Sequence, residues 1–304
     1  MPTALKFDTA AAISKGARDY QEDALIADFA AGADVSIAVL ADGMGGHAAG
    51  DVASKVVVTE VFRELTFKSD AIASGQADAA EVLAQAAHLA NTVLAHLIED
   101  NPAQRGMGAT LLALLIKGNA LHWISVGDSP LFLFRNNKLT QLNEDHSLAT
   151  HIDFLVSTGA LSAKEGAEHP ERNVLTSVLS GEKIAQIDCP DAGFELRGGD
   201  VILAASDGLQ YLSDDEIAKT LRSLPLARSS EVSERLMDGL RALEDPDLDN
   251  VTVLAIQVRA AVRASVESSL ASVQADQNPK LPRWSLSRVM GKTDCRAAAQ
   301  AGPR

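Results

Sequence analysis

The chain contains little cysteine, with only Cys189 and Cys295 among 304 residues. These two residues are far apart and lack redox spacing, which indicates reduced thiols in a cytosolic protein. No Cys-x5-Arg motif offers a thiolate nucleophile. His146, His151 and His169 fit no zinc-binding spacing, so we expect them to pack within their own segment. Disulfide frameworks, thiolate catalysis and zinc chemistry are therefore not expected.

The sequence also lacks long apolar runs and an excess of basic residues. No apolar stretch reaches about 18 residues, so no transmembrane segment is predicted. The N-terminus shows no basic segment followed by an apolar one, and we expect a cytoplasmic protein without a secretory signal. Lys and Arg number 27 against 41 Asp and Glu, for a net charge of −14. This balance argues against nucleic acid as a partner and suits either a cation site or an ordinary acidic surface.

Acidic residues stand at the ends of several apolar runs. The run VSIAVLADGMGG at 35–46 ends in Asp42 followed by glycines, and two later runs, LHWISVGDS and VILAASDG, end at Asp128 and Asp207. A fourth run, DNVTVLAIQV, begins with Asp249. If the strands at 201–206 and 251–258 are antiparallel, Asp207 and Asp249 lie at one sheet edge and can converge with Asp42.

Two further acidic residues, Glu22 and Asp23, precede the short apolar run at 24–27, and Arg18 lies just before them. Several carboxylates placed together repel one another unless cations neutralise them. Oxygen ligands suit Mg²⁺ or Mn²⁺ rather than zinc. Two such ions about 3.5 to 4 Å apart can activate a bridging water and hold a phosphoryl group. An arginine fork is a natural partner for the phosphoryl oxygens.

Six short motifs occur in a characteristic order along the chain. They are GARDYQEDA at 16–24, ADGMGG at 41–46, GMGAT at 106–110, VGDS at 126–129, SDGL at 206–209 and DNVTV at 249–253. In this order they resemble the motifs of the metal-dependent type 2C serine/threonine protein phosphatases, in their bacterial form. The resemblance spans roughly residues 8–258.

The resemblance implies a set of metal ligands. Asp42 bridges two Mn²⁺ or Mg²⁺ ions, and the Gly43 carbonyl binds one of them. Asp207 and Asp249 complete the pair. Asp128, together with Asp207, holds a weaker third ion.

The resemblance also implies the chemistry. Glu22 and Asp23 orient metal-bound waters, Arg18 holds the substrate phosphate, and a hydroxide bridging the metals attacks phosphorus in line. The implied partners are phosphoserine and phosphothreonine proteins and an opposing serine/threonine kinase, and we expect a monomer. Two alternatives stay open: a catalytically inactive binding protein of this fold, and a hydrolase of small phosphate esters.

Two positions depart from the pattern of many family members. Met44 stands where many eukaryotic members have a histidine, and methionine has no proton to donate to a leaving group. Bacterial members commonly have Met there, which leaves a metal-bound water as the expected acid. His47 is nearby, and a capping or surface role is favoured over a catalytic one. Pro130 replaces a frequent arginine.

The hydrophobic pattern predicts helices over 46–67 and 77–99, joined by a connection at 69–75. Two-residue turns at 118–119 and 136–137 predict hairpins, so the strands they join are antiparallel. The pattern therefore predicts an α+β fold with two antiparallel sheets covered by helices. The resemblance implies the same four-layer α-β-β-α sandwich.

The remainder of the chain divides into three parts. The pattern predicts a helix at 147–158 stopped by Gly159, and the resemblance implies that residues 145–181 form a flap beside the active site. Helices are predicted at 213–224 and 229–243, and the last strand is expected to end near Val258. The catalytic domain is thus expected to span 1–258. Residues 259–304 form a basic tail that we expect to be disordered. This tail can fold back, touch a membrane surface, recruit a substrate or have no role.

Overall fold

The computed structural model describes residues 5–45, 48–225 and 227–260. The strands are β1 (Leu5–Ser14), β2 (Ala24–Asp28), β3 (Val35–Ala41), β4 (Gly43–Met44), β5 (Gly108–Ala109), β6 (Leu111–Lys117), β7 (Ala120–Val126), β8 (Leu131–Arg135), β9 (Lys138–Gln141), β10 (Phe194–Glu195), β11 (Val201–Ala205) and β12 (Val251–Ala260). The α-helices are α1 (Ala48–Ala73), α2 (Ala79–Asp100), α3 (Leu148–Ser157), α4 (Ala163–Ala167), α5 (Asp214–Ser223) and α6 (Ser229–Arg241).

Two five-stranded antiparallel sheets form the centre of the protein. The first has the strand order β10-β7-β6-β3-β2 and the second the order β1-β12-β11-β8-β9, while β4 and β5 form a separate two-stranded ribbon. Helices α1 and α2 cover the first sheet, and α5 and α6 cover the second. The predicted α+β fold, with two antiparallel sheets flanked by helices, is confirmed.

Alternating side chains explain how the layers pack. On β6, Leu111 and Leu115 belong to the core shared with α1 and α2, whereas Leu112 and Leu114 lie in the core between the two sheets. Successive residues of a strand point to opposite faces, so an all-apolar strand can be buried on both sides. Trp123 lies in the same core between the two sheets.

Both predicted hairpins are present. Strands β6 and β7 are joined by residues 118–119, and β8 and β9 by residues 136–137. Asn136 and Asn137 have φ values of 53° and 63°, the left-handed region that a type I′ turn requires at both central positions. Asparagine tolerates this region better than most residues, so the turn follows directly from the Asn-Asn pair.

The predicted end of the first helix was wrong. Helix α1 continues to Ala73, so the connection to α2 is residues 74–78 rather than 69–75. Ile72 is fully buried against the core, and this contact favours an extra turn and a half of helix. The Ser69 hydroxyl donates to the Thr66 carbonyl of the preceding turn, so this serine does not interrupt the helix. Gly75, with φ +76°, lies just after the end of α1 and turns the chain away from the helix.

Other boundaries differ by a few residues. Helix α6 ends at Arg241 rather than 243, and β12 continues past Val258 to Ala260, where it pairs with Leu5. In the flap, α3 matches the predicted helix, with Ser147 as its N-cap and Gly159 at φ +77° after it. The short helix α4 was not predicted, although Ser162 and Glu165 form a capping box at its start.

Two sequence-based expectations fall on residues that are not described. His47 lies outside the described residues, and so does the expected tail beyond Ala260. Within the described ranges, no helix combines the length and hydrophobicity needed to cross a membrane.

Candidate active site

The β11–β12 pairing brings two of the predicted aspartates to one sheet edge. The Ser206 amide donates to the Thr252 carbonyl at 3.0 Å just beyond the end of β11. Asp207 follows that point directly, and Asp249 precedes β12 by two residues. The antiparallel arrangement expected from the sequence therefore places these carboxylates side by side.

The first sheet contributes a matching pair. Ala24 at the start of β2 pairs with Ala41 at the end of β3, so Asp23 and Asp42 adjoin the same strand ends. Asp128 lies between β7 and β8, on the connection that leads from the first sheet to the second.

The negative charges of these carboxylates act on one another, with burial as the larger cause of their raised pKa values. Burial, and then the negative charges of Asp23 and Asp207, hold the pKa of Asp42 well above its usual value. Burial followed by the charge of Asp249 raises the pKa of Asp207. Burial is also the main cause that raises the pKa of Asp128 to about 7, with Asp207 adding to it.

The pKa of Asp23 is raised to about 6, again mainly by burial. A hydrogen bond from the Ser206 hydroxyl to Asp23 Oδ2, at 2.8 Å, opposes this increase. Ser206 also accepts a hydrogen bond from the Thr252 amide at 2.9 Å. The serine thus connects the carboxylate of one sheet with the backbone of the other.

A second hydroxyl pair connects Asp42 with the Asp128 turn. The Asp42 amide donates to Thr110 Oγ1 at 2.9 Å, and that oxygen lies 3.0 Å from Ser129 Oγ. The Thr110 amide in turn donates to the Asp42 carbonyl at 2.8 Å. Thr110 belongs to the GMGAT motif, which had no assigned role.

Asn250 is a site residue for which the sequence suggested no function. It is buried, and its side-chain carbonyl accepts a 2.6 Å hydrogen bond from the Glu22 amide. Its side-chain amide donates to the carbonyls of Lys15 and Tyr20 at 3.0 and 2.9 Å. Asn250 therefore fixes the segment that contains Arg18 and Glu22 against β12. Its position beside Asp249 in the DNVTV motif was the available signal.

Glycines allow a close approach beneath the predicted carbonyl ligand. A Cβ on Gly43 would lie 2.0 Å from the Gly50 carbonyl oxygen, and one on Gly50 would lie 2.3 Å from Glu22 Oε1. The Gly43 amide also donates to the Glu22 carbonyl at 3.1 Å. Any larger residue would separate α1 from the strand end that places Gly43 beside Asp42.

Arg18 lies at the same edge and contacts one of the acids. Its Nη2 atom donates to Asp249 Oδ2 at 2.6 Å. The guanidinium is half exposed, so part of its fork faces solvent beside the carboxylate cluster. This position lets Arg18 approach an anion bound there.

The donor set suits hard divalent cations. Asp23 Oδ1 and Asp207 Oδ1 are buried oxygens without a hydrogen-bond partner among the described residues, which a cation or its water would satisfy. Within the described ranges, no three His, Cys, Asp or Glu side chains are preassembled around one point. Mg²⁺ and Mn²⁺ often use only one or two protein carboxylates and keep several waters, so separate buried carboxylate oxygens of this kind suit them.

The structure shows the contacts of several residues that were expected to lie outside the chemistry. Cys189 is half buried, and burial raises the pKa of its thiol to about 11, which opposes thiolate chemistry. His146 contacts Gly127, and His169 accepts a hydrogen bond from Glu171 within the flap. Met44 has no proton to donate at the position beside Gly43. The Pro130 carbonyl accepts from the Ala205 amide at 3.1 Å and so joins the Asp128 turn to β11.

Comparison with known proteins identifies the family to which the chain belongs. The model of the family protein phosphatase 2C matches residues 12–243. The serine/threonine protein phosphatase PstP of Mycobacterium tuberculosis is 35% identical over 227 residues, which cover 74% of this chain and 41% of that protein. Protein phosphatase PhpP of Streptococcus pneumoniae is 33% identical over 224 residues, covering 72% of this chain and 85% of PhpP.

A solved structure shares the fold. The catalytic domain of serine/threonine protein phosphatase PstP, in complex with two manganese ions, superposes with a TM-score of 0.66 at 30% identity, covering 84% of this chain and 99% of that one. The chain belongs to the protein phosphatase 2C family. It spans less than half the length of the full PstP protein that it matches.

Proposed function

We propose that this chain hydrolyses phosphoserine and phosphothreonine in proteins with the help of two Mn²⁺ or Mg²⁺ ions. The observation that carries the proposal is the convergence of Asp42, Asp128, Asp207 and Asp249 from separate strand ends, with an arginine at the same edge. Buried carboxylates that repel one another in this way create a site for cations. PstP, a relative with the same fold, holds two manganese ions.

The proposed ligands are Asp42, shared by both ions, the Gly43 carbonyl, Asp207 and Asp249. When bound, two such ions supply water of lowered pKa and positive charge for the phosphoryl oxygens. Hydrogen bonds hold the ligand residues in place before the ions bind. Thr110 holds Asp42, and Ser206 joins the strand end of Asp207 to β12. Prior positioning reduces the reorganisation that the reaction requires.

Arg18 is the proposed phosphate-binding residue. Its fork can make two parallel hydrogen bonds to phosphoryl oxygens, and its charge opposes the negative charge that develops in the transition state. Glu22 and Asp23, held by Asn250 and Ser206, are proposed to orient water beside the ligands. Asp128 is proposed to serve a weaker third cation together with Asp207.

The domain assignment is part of the proposal. Residues 1–258 form the catalytic domain, and the flap of 145–181 borders the site. Its base is attached beside β4, because Leu179 exchanges two backbone hydrogen bonds with Ala109, the neighbour of Gly43 in the β4–β5 ribbon. A flap fixed at this point can contact the polypeptide around a phosphorylated residue, which favours protein substrates over small esters.

Phosphate release from a phosphothreonine peptide, a phosphoserine peptide and an aryl phosphate tests the proposal. We expect turnover of all three with Mn²⁺, loss with EDTA, recovery on addition of Mn²⁺, and no effect of iodoacetamide. An inactive binding protein releases nothing under any condition. A small-ester hydrolase cleaves the aryl phosphate alone. Turnover that persists in metal-free buffer would contradict the proposed cation dependence.

A further inference from the structure

One short segment, residues 143–146, holds the turn that contains Asp128. Asn143 is buried, and its side-chain carbonyl accepts from the Leu131 amide at 2.8 Å. Its side-chain amide donates to the Ser129 carbonyl and to Ser125 Oγ, both at 3.0 Å. These partners lie on both sides of Asp128 in the sequence, so Asn143 fixes the turn from its β7 end and its β8 end.

His146 holds the same turn from the opposite end of the segment. Its Nδ1 atom accepts a hydrogen bond from the Gly127 amide at 3.2 Å, and its own amide donates to the Gly127 carbonyl at 3.0 Å. The side chain is almost completely buried. An imidazole nitrogen that accepts has no proton, so the neutral ring carries its proton on Nε2. Burial lowers the pKa of His146, which agrees with a neutral ring.

The contact acts on a residue with little freedom of its own. Gly127 has φ +108°, and a Cβ at this position would lie 2.6 Å from Thr110 Cγ2. The backbone is therefore confined on one side by Thr110 and held on the other by His146. Asp128 is the next residue, so a shift of the Gly127 peptide moves its carboxylate directly.

His146 also links this turn to the returning end of the flap. Its carbonyl accepts from the amide and the hydroxyl of Thr176, at 2.8 and 2.9 Å. Ser147 follows as the N-cap of α3. The outgoing and the returning chain of the flap therefore meet at His146.

We propose that His146 is a positioning residue that fixes the Asp128 carboxylate through Gly127 and couples its position to the flap. This inference rests on the proposed function, in which Asp128 serves hydrolysis. His146 itself touches neither substrate nor cation in this scheme. A structural role alone would affect stability, whereas a positioning role predicts an effect that depends on Asp128.

Three variants test the contact. His146→Asn keeps a carbonyl acceptor near the position of Nδ1, whereas His146→Gln fills a similar volume but moves the amide towards the position of Nε2. His151→Asn is the matched control, because His151 is exposed on α3 in the same flap. With a phosphothreonine peptide, His146→Gln should lower kcat about threefold to tenfold at nearly constant KM, as expected for one lost hydrogen bond. His146→Asn should retain most of the activity, and His151→Asn all of it.

A double-mutant cycle separates positioning from stability. In the Asp128→Asn background, His146→Gln should cause no further loss, because the residue through which it acts is already altered. Equal fold losses in the two backgrounds, or equal losses in His146→Asn and His146→Gln, would overturn the inference.

Two measurements do not depend on catalysis. Hydrogen exchange at the Gly127 amide should accelerate in His146→Gln and stay unchanged in His151→Asn. In the wild type, nitrogen NMR should show His146 Nδ1 unprotonated, and the opposite tautomer would refute the contact even if the Gln variant does not fold. If the wild-type chain releases no phosphate, the proposed function is refuted. The hydrogen exchange of Gly127 and the tautomer of His146 still test the contact in that case.

Discussion

Arg18 Nη2 lies 2.6 Å from Asp249 Oδ2, so the proposed phosphate-binding residue is paired with a proposed cation ligand. Arg18→Ala should therefore weaken substrate binding without weakening Mn²⁺ binding, because it removes a competitor for Asp249. We expect kcat/KM to fall about tenfold to 150-fold, since a hydrogen bond to a charged group contributes about 1.5 to 3 kcal/mol. The pair is partly exposed, so any gain in Mn²⁺ affinity should be small.

Isothermal titration calorimetry and steady-state kinetics together check this expectation. Arg18→Lys is the control, because it keeps the charge but loses the fork that matches two phosphoryl oxygens. Its kcat/KM should lie between those of the wild type and the alanine variant. A collapse of Mn²⁺ binding in Arg18→Ala would show that Arg18 builds the cation site rather than serving the substrate.

The raised pKa values of the acidic cluster predict how the metal-free protein responds to pH. The pKa of Asp128 is about 7, that of Asp23 is about 6, and that of Asp42 is also raised. A raised pKa means that the folded state binds more protons than the unfolded state, so the associated stability is lost as pH rises through the folded pKa. In EDTA, the melting temperature should therefore fall between about pH 5 and 7.5.

Thermal melts at the two pH values, with and without Mn²⁺, measure this effect. Mn²⁺ should raise the melting temperature more at the higher pH, because cations bind the deprotonated carboxylates. Asp128→Asn should reduce the slope, whereas Asp70→Asn, which removes an exposed carboxylate near the end of α1, should not. A metal-free protein whose stability rises across this interval would contradict the clustering of the carboxylates.

The end of β12 predicts where the chain can be shortened. Strand β12 pairs with β1 as far as Ala260, opposite Leu5, so a chain ending at Ala261 keeps the whole sheet. We expect this truncated chain to hydrolyse an aryl phosphate as fast as the full chain and to melt at nearly the same temperature. The control is a chain ending at Gln257, which loses buried Val258 and should be destabilised by roughly 1.5 to 3 kcal/mol. If the chain that ends at Ala261 does not fold, the domain extends into the residues that follow Ala261.

The sequence predicted the strand ends best where an apolar run stops at an acidic residue. Apolar runs that end in Asp42, Asp128 or Asp207 predicted the strand ends, because alternation and breaking residues are local signals. Helix ends were less predictable: α1 extends past Ser69 because Ile72 reaches a core that its neighbours in sequence do not reveal.

The neutral part of the site was not predictable in the same way. Asn250, Thr110 and Ser206 hold the acids through hydrogen bonds to residues distant in sequence, and a neutral polar side chain does not indicate its partner. The pairing of Arg18 with Asp249 likewise joins residues 231 positions apart. Such contacts follow from the registers of β1 with β12, of β11 with β12 and of β3 with β6, which only the folded structure specifies.

The last prediction separates two aspartates that look alike in the sequence. Asp249 precedes β12 and lies beside Asp207. It is a proposed ligand of the two tightly bound cations. Asp249→Asn removes a full ligand charge, and we expect both Mn²⁺ affinity and turnover to fall severely. Asp128 lies in the buried turn between the sheets, held by Ser129 and the 143–146 segment. Asp128→Asn should keep the two tight ions and slow the hydrolysis itself.

The choice of substrate then shows what Asp128 does. If it serves protonation of the leaving oxygen, which Met44 has no proton to supply, a poor leaving group suffers more than a good one. Asp128→Asn should therefore slow a phosphothreonine peptide more than an activated aryl phosphate, whereas Asp249→Asn should slow both alike. Calorimetry with Mn²⁺ and kinetics on the two substrates make the comparison. Equal losses on both substrates in Asp128→Asn would exclude a role in protonating the leaving oxygen. Loss of two-ion binding in that variant would instead place Asp128 among the tight ligands.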